Sequence, residues 1–363
     1  MQQRVEILKM LYRNSDILIF DEPTAVLTPQ EIQELMKIMR NLIKEGKTIL
    51  LITHKLNEIK EVADYCTVLR KGKCIGTVKV KDTSEKEMAE MMVGREINFK
   101  VDKKEMDAGD VVLKIDKLSV LNGKGLPAVK DFSLEVKAGE IVGLAGIDGN
   151  GQTELVYAIT GLKESESGHV YLKGKDITDI PIKERLSQGI AHVPEDRHRH
   201  GLVLDFTMEY NFIIHCYDSE PYSNKGVLQP KVISQHAEDL IQQFDVRSGQ
   251  GRNSIARTMS GGNQQKAIIA REIDRSADLL IVVQPTRGLD VGAIEYIHSR
   301  IVEERDKGKA IFLVSLELDE ILDLSDKIAV IHNGELTGYM PAEAADKNSI
   351  GLMMSGSVKK VDA

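Results

Sequence analysis

No apolar run in these 363 residues approaches the roughly 18 that a membrane-spanning helix needs. The first residues also lack the charged-then-apolar build of a secretory leader. Cysteine is scarce: Cys66, Cys74 and Cys216 are odd in number and show no CxxC spacing, so they read as reduced, buried cytosolic thiols rather than a disulfide framework. Positive charge is not in excess either. With 48 basic against 56 acidic residues the net charge is −8, which argues against a nucleic-acid-binding surface. What is present is ordinary for a globular protein, 42% hydrophobic and 29% charged. The chain is longer than one core usually serves, so one full domain and a partial one are expected, in the cytoplasm and against a membrane only through partners.

The chain repeats itself. Adding 262 to a position near the beginning lands, without a gap, on a counterpart near the end. Asp16-Ile17-Leu18-Ile19 maps to Asp278-Leu279-Leu280-Ile281, Pro23-Thr24 to Pro285-Thr286, Gly46-Lys47 to Gly308-Lys309, and Met91-Met92 to Met353-Met354. Three positions break the pattern: Asp21-Glu22 becomes Val283-Gln284, and His54 becomes Leu316. One copy keeps two carboxylates and an imidazole where the other has none. Gln2-Gln3-Arg4 aligns with Gln264-Gln265-Lys266, so the first copy is expected to lack everything that precedes Asn263 in the second.

The patterning predicts a P-loop-type α/β fold. In residues 1–97, the apolar run Ile17–Phe20 reads as a buried parallel strand. Thr28, Pro29 and Glu31 read as the cap, first position and capping box of a helix that Gly46 stops. Thr48–Thr53 is the next strand, and Thr67–Leu69 with Cys74–Gly76 form a hairpin. Strand–helix–strand alternation implies a parallel sheet covered on both faces. Residues 98–110, including the charged Lys103–Asp107, read as a solvated linker. A second domain is expected over 111–342, opening with strands at Val111–Ile115 and Phe132–Val136, interrupted by a helical insertion over about 197–258, and followed by a C-terminal tail over 343–363 that is mobile after Met354.

Two motifs carry chemistry in that second domain. A strand, Gly139–Ala145, runs into Gly146-Ile147-Asp148-Gly149-Asn150-Gly151-Gln152-Thr153, with the glycine spacing of a phosphate-binding loop. Such glycines let backbone N–H groups curl around phosphate at a helix start. Thr153 retains a hydroxyl for Mg²⁺, but Gln152 stands where the loop's lysine belongs. Losing a charge-assisted contact of roughly 1.5–3 kcal/mol weakens phosphate binding by about one to two decades. A dinucleotide loop is the rival reading, and it lacks the third glycine of GxGxxG. The second motif, Ser260-Gly261-Gly262-Asn263, opens a helix that ends just before the strand at Leu279, offering a hydroxyl and a positive dipole end suited to γ-phosphate.

Together these motifs resemble the ATP-binding subunit of an ABC transporter, of the fused two-domain type that serves simple-sugar and nucleoside importers. Ser260-Gly261-Gly262-Asn263-Gln264 is similar to that group's signature, and Gln284-Pro285-Thr286-Arg287-Gly288-Leu289-Asp290 to its divergent second Walker B and D-loop. Pro194-Glu195-Asp196-Arg197 together with the Asp148–Gln152 loop looks most like the nucleoside branch. The resemblance implies an ABC-type nucleotide-binding domain preceded by part of a second one, with ATP and Mg²⁺ as ligands. It implies that Asp21 holds Mg²⁺, Glu22 polarises the attacking water and His54 contacts the γ-phosphate, roles that phosphoryl transfer can fill by positioning and charge alone. It also implies that Gly146, Gly149, Gly151, Gln152 and Thr153 form a degenerate site, with Glu195 where a Q-loop glutamine belongs and no adenine-stacking aromatic near Leu121. The competent site lacks its own loop, so hydrolysis by this chain alone is expected to be poor or absent.

The implied partners are a membrane permease, docking near residues 200–216, and through it an extracytoplasmic solute-binding protein, with no nucleic acid. The implied location is the cytoplasmic face of the cell membrane. Two other readings stay open: a non-catalytic regulatory or scaffolding remnant, and a soluble ABC-type ATPase acting on ribosomes or DNA. His192, His198 and His200 read as a solvated turn rather than a metal site. Met88, Met91 and Met92 read as packing.

Overall fold

The computed structural model describes residues 9, 15–24, 27, 29–70, 72–96, 102–358 and 360–361. They fall into two compact units, one spanning Met1–Phe99 with Asp290–Glu295, the other Lys100–Leu289 with Tyr296–Ala363.

In the first unit, β1 (Ile17–Asp21) and α1 (Pro29–Lys44) lead into β2 (Thr48–Ile52), which pairs parallel with β1, Ile17 opposite Thr48 and Asp21 opposite Ile52. Leu35, Met36 and Met39 repeat at helical spacing and bury one face of α1 against Leu18 and Phe20. Gly46 ends the helix with φ +86°. Thr28, the expected cap, and the Gln2-Gln3-Arg4 repeat positions lie outside the described residues. Next come α2 (Leu56–Val62), the antiparallel hairpin of β3 (Tyr65–Arg70) and β4 (Lys73–Lys79), and α3 (Glu85–Val93). Ser84 and Glu87 form a reciprocal capping box at the start of α3, and Met88 is fully buried with Ala89 and Leu56.

The second unit stacks two sheets around one core. A four-stranded antiparallel sheet runs in the order β6-β5-β8-β9, built from β5 (Val111–Leu121), β6 (Pro127–Lys137), β8 (Ser167–Leu172) and β9 (Lys175–Asp176). Between β6 and β8 the chain forms β7 (Ile141–Ala145) and α4 (Gln152–Thr160), and after β9 it forms α5 (Ile182–Ser187) and β10 (Ile190–Val193). The insertion holds a π-helical turn at Arg197–Gly201, α6 (Met208–Ile213), a two-residue hairpin of β11 (Ser223–Asn224) and β12 (Val227–Leu228), and α7 (Pro230–Gln243). Helices dominate it, with that one small hairpin added.

After α8 (Gly261–Asp274), the chain supplies β13 (Leu279–Val283), α9 (Val291–Asp306), β14 (Ala310–Ser315), α10 (Leu318–Leu324), β15 (Lys327–His332) and β16 (Glu335–Pro341). The main sheet, completed by β17 (Lys360–Val361), runs β10-β13-β14-β7-β15-β16-β17, parallel from β10 through β15. Every residue of β7, β13 and β14 is buried, as expected for central parallel strands covered on both faces. Leu113, Phe132, Leu144, Leu155 and Phe312 share the core between the two sheets.

Three expectations need correction. The tail beyond α11 (Lys347–Met354), whose Ile350, Met353 and Met354 are buried, is not free, because β17 (Lys360–Val361) pairs with β16. Residues 102–110 hold no helix or strand and are exposed apart from Lys103, whose ammonium donates to the end carbonyls of α10, Leu324 O and Ser325 O, and pairs with Asp326. A cation there satisfies carbonyls that a helix end leaves orphaned. Cys74 is exposed, since it lies on a hairpin open to solvent, whereas Cys66 and Cys216 are half-buried. His192 sits in β10, inside the parallel sheet, not in a turn.

Candidate functional site

In the first unit β1 and β2 end side by side, and the chain leaves β1 through Glu22 and β2 through Thr53 and His54. Glu22 adopts φ +46°, an uncommon conformation for a non-glycine residue, and its amide donates to Ile52 O at 2.9 Å. That kink turns the side chain off the strand line. His54 Nδ1 lies 2.6 Å from Glu22 Oε1. Asp21, Glu22 and His54 therefore come together at the carboxyl ends of two parallel strands, where open α/β sheets place ligands.

The second unit repeats this backbone without its chemistry. Gln284 has φ +49° and its amide donates to Val314 O at 2.8 Å. Beneath it, Thr286 Oγ1 donates to Glu320 Oε1 at 2.7 Å, as Thr24 Oγ1 does to Glu58 in the first unit. His298 Nε2 also meets Glu320 Oε1, at 2.9 Å. These threonine–glutamate pairs pin the post-strand turn to the helix that follows the neighbouring strand, α2 in the first copy and α10 in the second. Sequence reasoning passed over them, although Glu58 and Glu320 stand at the same 262-residue spacing as the motifs it used.

The loop from β7 to α4 has the phosphate-binding form. Gly151 opens α4 at φ +104°, and a Cβ there would come within 2.2 Å of Ala128 O, so only glycine fits. Asn150 braces the loop by accepting from the amide of Asn333 at 2.9 Å. The Gln152 side chain is buried and folds back, donating through Nε2 to Ile147 O at 3.1 Å. Gln152 thus closes the loop on itself. It presents no charge to a ligand. Thr153 follows in the first turn of α4, half-buried.

Ser260 precedes α8 in extended conformation, and Gly261 and Gly262 form its first turn. The Ser260 hydroxyl does not cap the helix amides but accepts from Asn263 Nδ2 at 2.9 Å, while Asn263 Oδ1 accepts from the amide of Arg247. The Arg197 guanidinium lies about 3.5 Å from where a Gly261 Cβ would be. Glu195, expected where a Q-loop residue would stand, accepts from Arg287 Nη1 at 2.6 Å.

Behind this region lies a buried ionic knot. Glu272 is enclosed by Arg271, Arg275 and His215. Burial pushes its carboxyl up, but these charges, Arg271 first, hold it well below the ordinary range. Burial drives the neighbouring His192 imidazole down to about 4 and leaves its Nε2 without a hydrogen-bond partner. Cys216 is pushed up to about 11, also by burial, so it is no nucleophile at neutral pH. His198 bonds to Gln264 and His200 to Tyr157, both from the exposed π-helical turn. Among the described residues no group of three or more His, Cys, Asp or Glu could hold a metal, and no helix is long and apolar enough to cross a membrane.

Comparison with known proteins adds the following. The family model described as "ABC transporter" matches residues 129–287. The nucleoside import ATP-binding protein NupA of Lactococcus lactis is 58% identical over 355 residues, covering 98% of this chain and 70% of that protein. The guanosine import ATP-binding protein NupO of Bacillus subtilis is 54% identical, over 99% of this chain and 70% of that protein. The glucose import ATP-binding protein TsgD13 of Haloferax volcanii is 44% identical, over 98% and 65%. Among solved structures, a nucleotide-free ATP-binding cassette from an ABC transporter superposes with TM-score 0.56 at 20% identity, covering 67% of this chain and 95% of that one. That likeness bears on the fold.

Proposed function

The chain belongs to the ABC transporter family of ATP-binding subunits, and from that premise we propose that it energises the import of a nucleoside through a membrane permease. The observation that carries this reading is the 58% identity, across 98% of the chain, to a nucleoside import ATP-binding protein. A protein named for glucose import is less similar, at 44%. Partners of the same reading are the permease, docked near residues 200–216, and a solute-binding protein on the far side of the membrane. The subunit works at the cytoplasmic face.

MgATP is the ligand, and the residues present divide its handling. Asp21 serves as the metal-side carboxylate, Glu22 orients the attacking water and His54 reaches the γ-phosphate. The 2.6 Å contact between His54 and Glu22 supports this grouping. In the head-to-tail pairing that the family implies, Ser260, Gly261, Gly262 and Asn263 present the signature to γ-phosphate. Gly146, Gly149, Gly151, Gln152 and Thr153 form a weak nucleotide loop, with Glu195 at its Q-loop position. Because Gln152, Val283 and Gln284 replace the charged groups of that loop's own domain, the purified chain turns over no ATP by itself.

Two measurements test this. Cells in which the coding sequence is disrupted lose uptake of labelled guanosine and keep uptake of labelled ribose; loss of ribose uptake alone overturns the assignment to nucleosides. Purified chain shows no phosphate release above a buffer blank. Steady turnover abolished by Glu22→Gln overturns that second point.

A further inference from the structure

Glu58, in α2, carries a buried carboxylate that joins the two segments bearing Glu22 and His54. Its Oε1 accepts from Thr24 Oγ1 at 2.5 Å, just past Glu22, and its Oε2 accepts from Thr53 Oγ1 at 3.1 Å, immediately before His54. The Thr53 hydroxyl in turn accepts from the Lys55 amide at 3.0 Å, so it is held from both sides. Glu58 is only 2% exposed, and a carboxylate withdrawn from water depends on such donors for its stabilisation. The pairing of β1 with β2 sets the two strand ends level, Asp21 opposite Ile52, but it does not fix where the residues beyond them turn. The two arms of Glu58 do.

The second unit is an internal control. Thr286 Oγ1 donates to Glu320 Oε1 at 2.7 Å, so the arm to the first turn is kept. The other arm is missing: Glu320 Oε2 is buried without a hydrogen-bond partner, although Ser315 offers a hydroxyl at the counterpart of Thr53. Ser315 Oγ accepts from the Glu317 amide at 3.0 Å, as Thr53 does from Lys55, but does not reach the glutamate. His298, at the counterpart of Met36, meets Glu320 Oε1 instead. The second arm is thus present where His54 lies 2.6 Å from Glu22, and absent where Leu316 and Gln284 leave no such pair to hold. A bridge that served the fold alone would be expected in both copies.

We propose that Glu58 is a positioning residue for phosphoryl transfer: through Thr53 it holds the His54 imidazole against Glu22, while its contact with Thr24 anchors the turn that carries Glu22. The effect on turnover rests on reading Glu22 and His54 as the reacting pair; the positioning does not. Misplacing a reacting group by about 1 Å costs about two decades in rate, so the hydroxyl next to His54 matters through the side chain it aims.

The test reads the His54 imidazole nitrogens by NMR at one fixed pH, in the whole chain carrying isotope-labelled histidine. Glu22→Gln gives the signature of the altered contact, and the turn accommodates it, since Gln284 holds the same backbone conformation in the second unit. Thr53→Val should move the His54 resonances as Glu22→Gln does and add nothing in the Glu22→Gln background. Thr53→Ser, which keeps the hydroxyl, should restore the native signature. Valine also frees the Lys55 amide, so Glu58→Met, matched in length, is the second variant: it spares that contact and should move the same resonances. Unchanged hydrogen exchange in α1 verifies folding; where Glu58→Met loosens α1, the contrast between Thr53→Val and Thr53→Ser decides. Ser315→Ala should leave His54 untouched. His54 resonances that stay native in a folded Glu58→Met, or that do not distinguish Thr53→Val from Thr53→Ser, overturn the proposal. In cells, Thr53→Val should lower the maximal rate of labelled guanosine uptake by about one to two decades, leave the half-saturating guanosine concentration unchanged, and be rescued by serine. Uptake that falls in Glu22→Gln but not in Thr53→Val also overturns the proposal. Uptake indifferent to both, with the resonances moved, keeps the positioning and removes the catalytic reading of the pair.

Discussion

At the scale of single residues, the ends of β1 and β13 share a backbone form and differ in the side chains placed on it, Asp21-Glu22 against Val283-Gln284. Glu22 and Gln284 take the same left-handed conformation and the same amide contact, so the change of side chain leaves the turn itself unaltered. Gln152 is the informative substitution in the loop. Its amide spends itself on Ile147 O, inside the loop. Gln152→Lys should restore a charged donor and tighten MgATP binding by about one to two decades, without turnover, since Val283 and Gln284 remain. Isothermal titration of both proteins checks it, and unchanged affinity would mean that the loop is closed for another reason. His192 sets a pH response. Unfolding returns its imidazole from about 4 to the ordinary 6.5, so between those values the unfolded chain binds a proton that the native chain refuses. Stability should be full above pH 6.5 and fall as the pH drops towards 4, by on the order of 3 kcal/mol. His192→Leu should flatten that slope in urea titrations across pH 4–8.

At the scale of elements, local signals behaved unevenly. The strands at Ile17–Asp21, Thr48–Ile52 and Leu279–Val283 follow from short apolar runs, and α1 follows from its 3.6-residue spacing. The helix α11 was hidden because its stripe is only three residues, Ile350, Met353 and Met354, between polar neighbours. Capping can be weighed directly at α3, where Ser84 Oγ accepts from the Glu87 amide and the Glu87 carboxylate accepts from the Ser84 amide. Ser84→Ala should destabilise α3 by about 1 kcal/mol. Hydrogen exchange over 85–93 should quicken about fivefold, while exchange in α8 stays unchanged. Equal acceleration in both helices would show that the cap supports more than its own element.

At the scale of the whole molecule, the two units are unequally built. The second has one continuous core between two sheets, whereas the described residues of the first bury two small clusters and leave aliphatic strand residues exposed. Denaturant titration should therefore give two transitions rather than one, the earlier assigned to the first unit. MgATP near its Kd should move only the later one, by a few tenths of a kcal/mol. A single transition seen alike by probes in β1 and in β14 would contradict this.

The sequence by itself determined the repeat, the α/β class, the strand ends that carry Asp21, Glu22 and His54, and the loop of Gly146–Thr153. Each is a local pattern, legible because strand period, glycine spacing and capping act within a few residues of one another. Only the tertiary structure decided that His192 lies in a sheet, that Lys103 caps α10, and that Gln152 folds into its own loop. It alone decided that β7 separates β14 from β15 while β2 and β3 share no such strand among the described residues. Those facts depend on which distant edges and faces meet, and no periodicity in the chain records the pairing of strands more than a hundred residues apart.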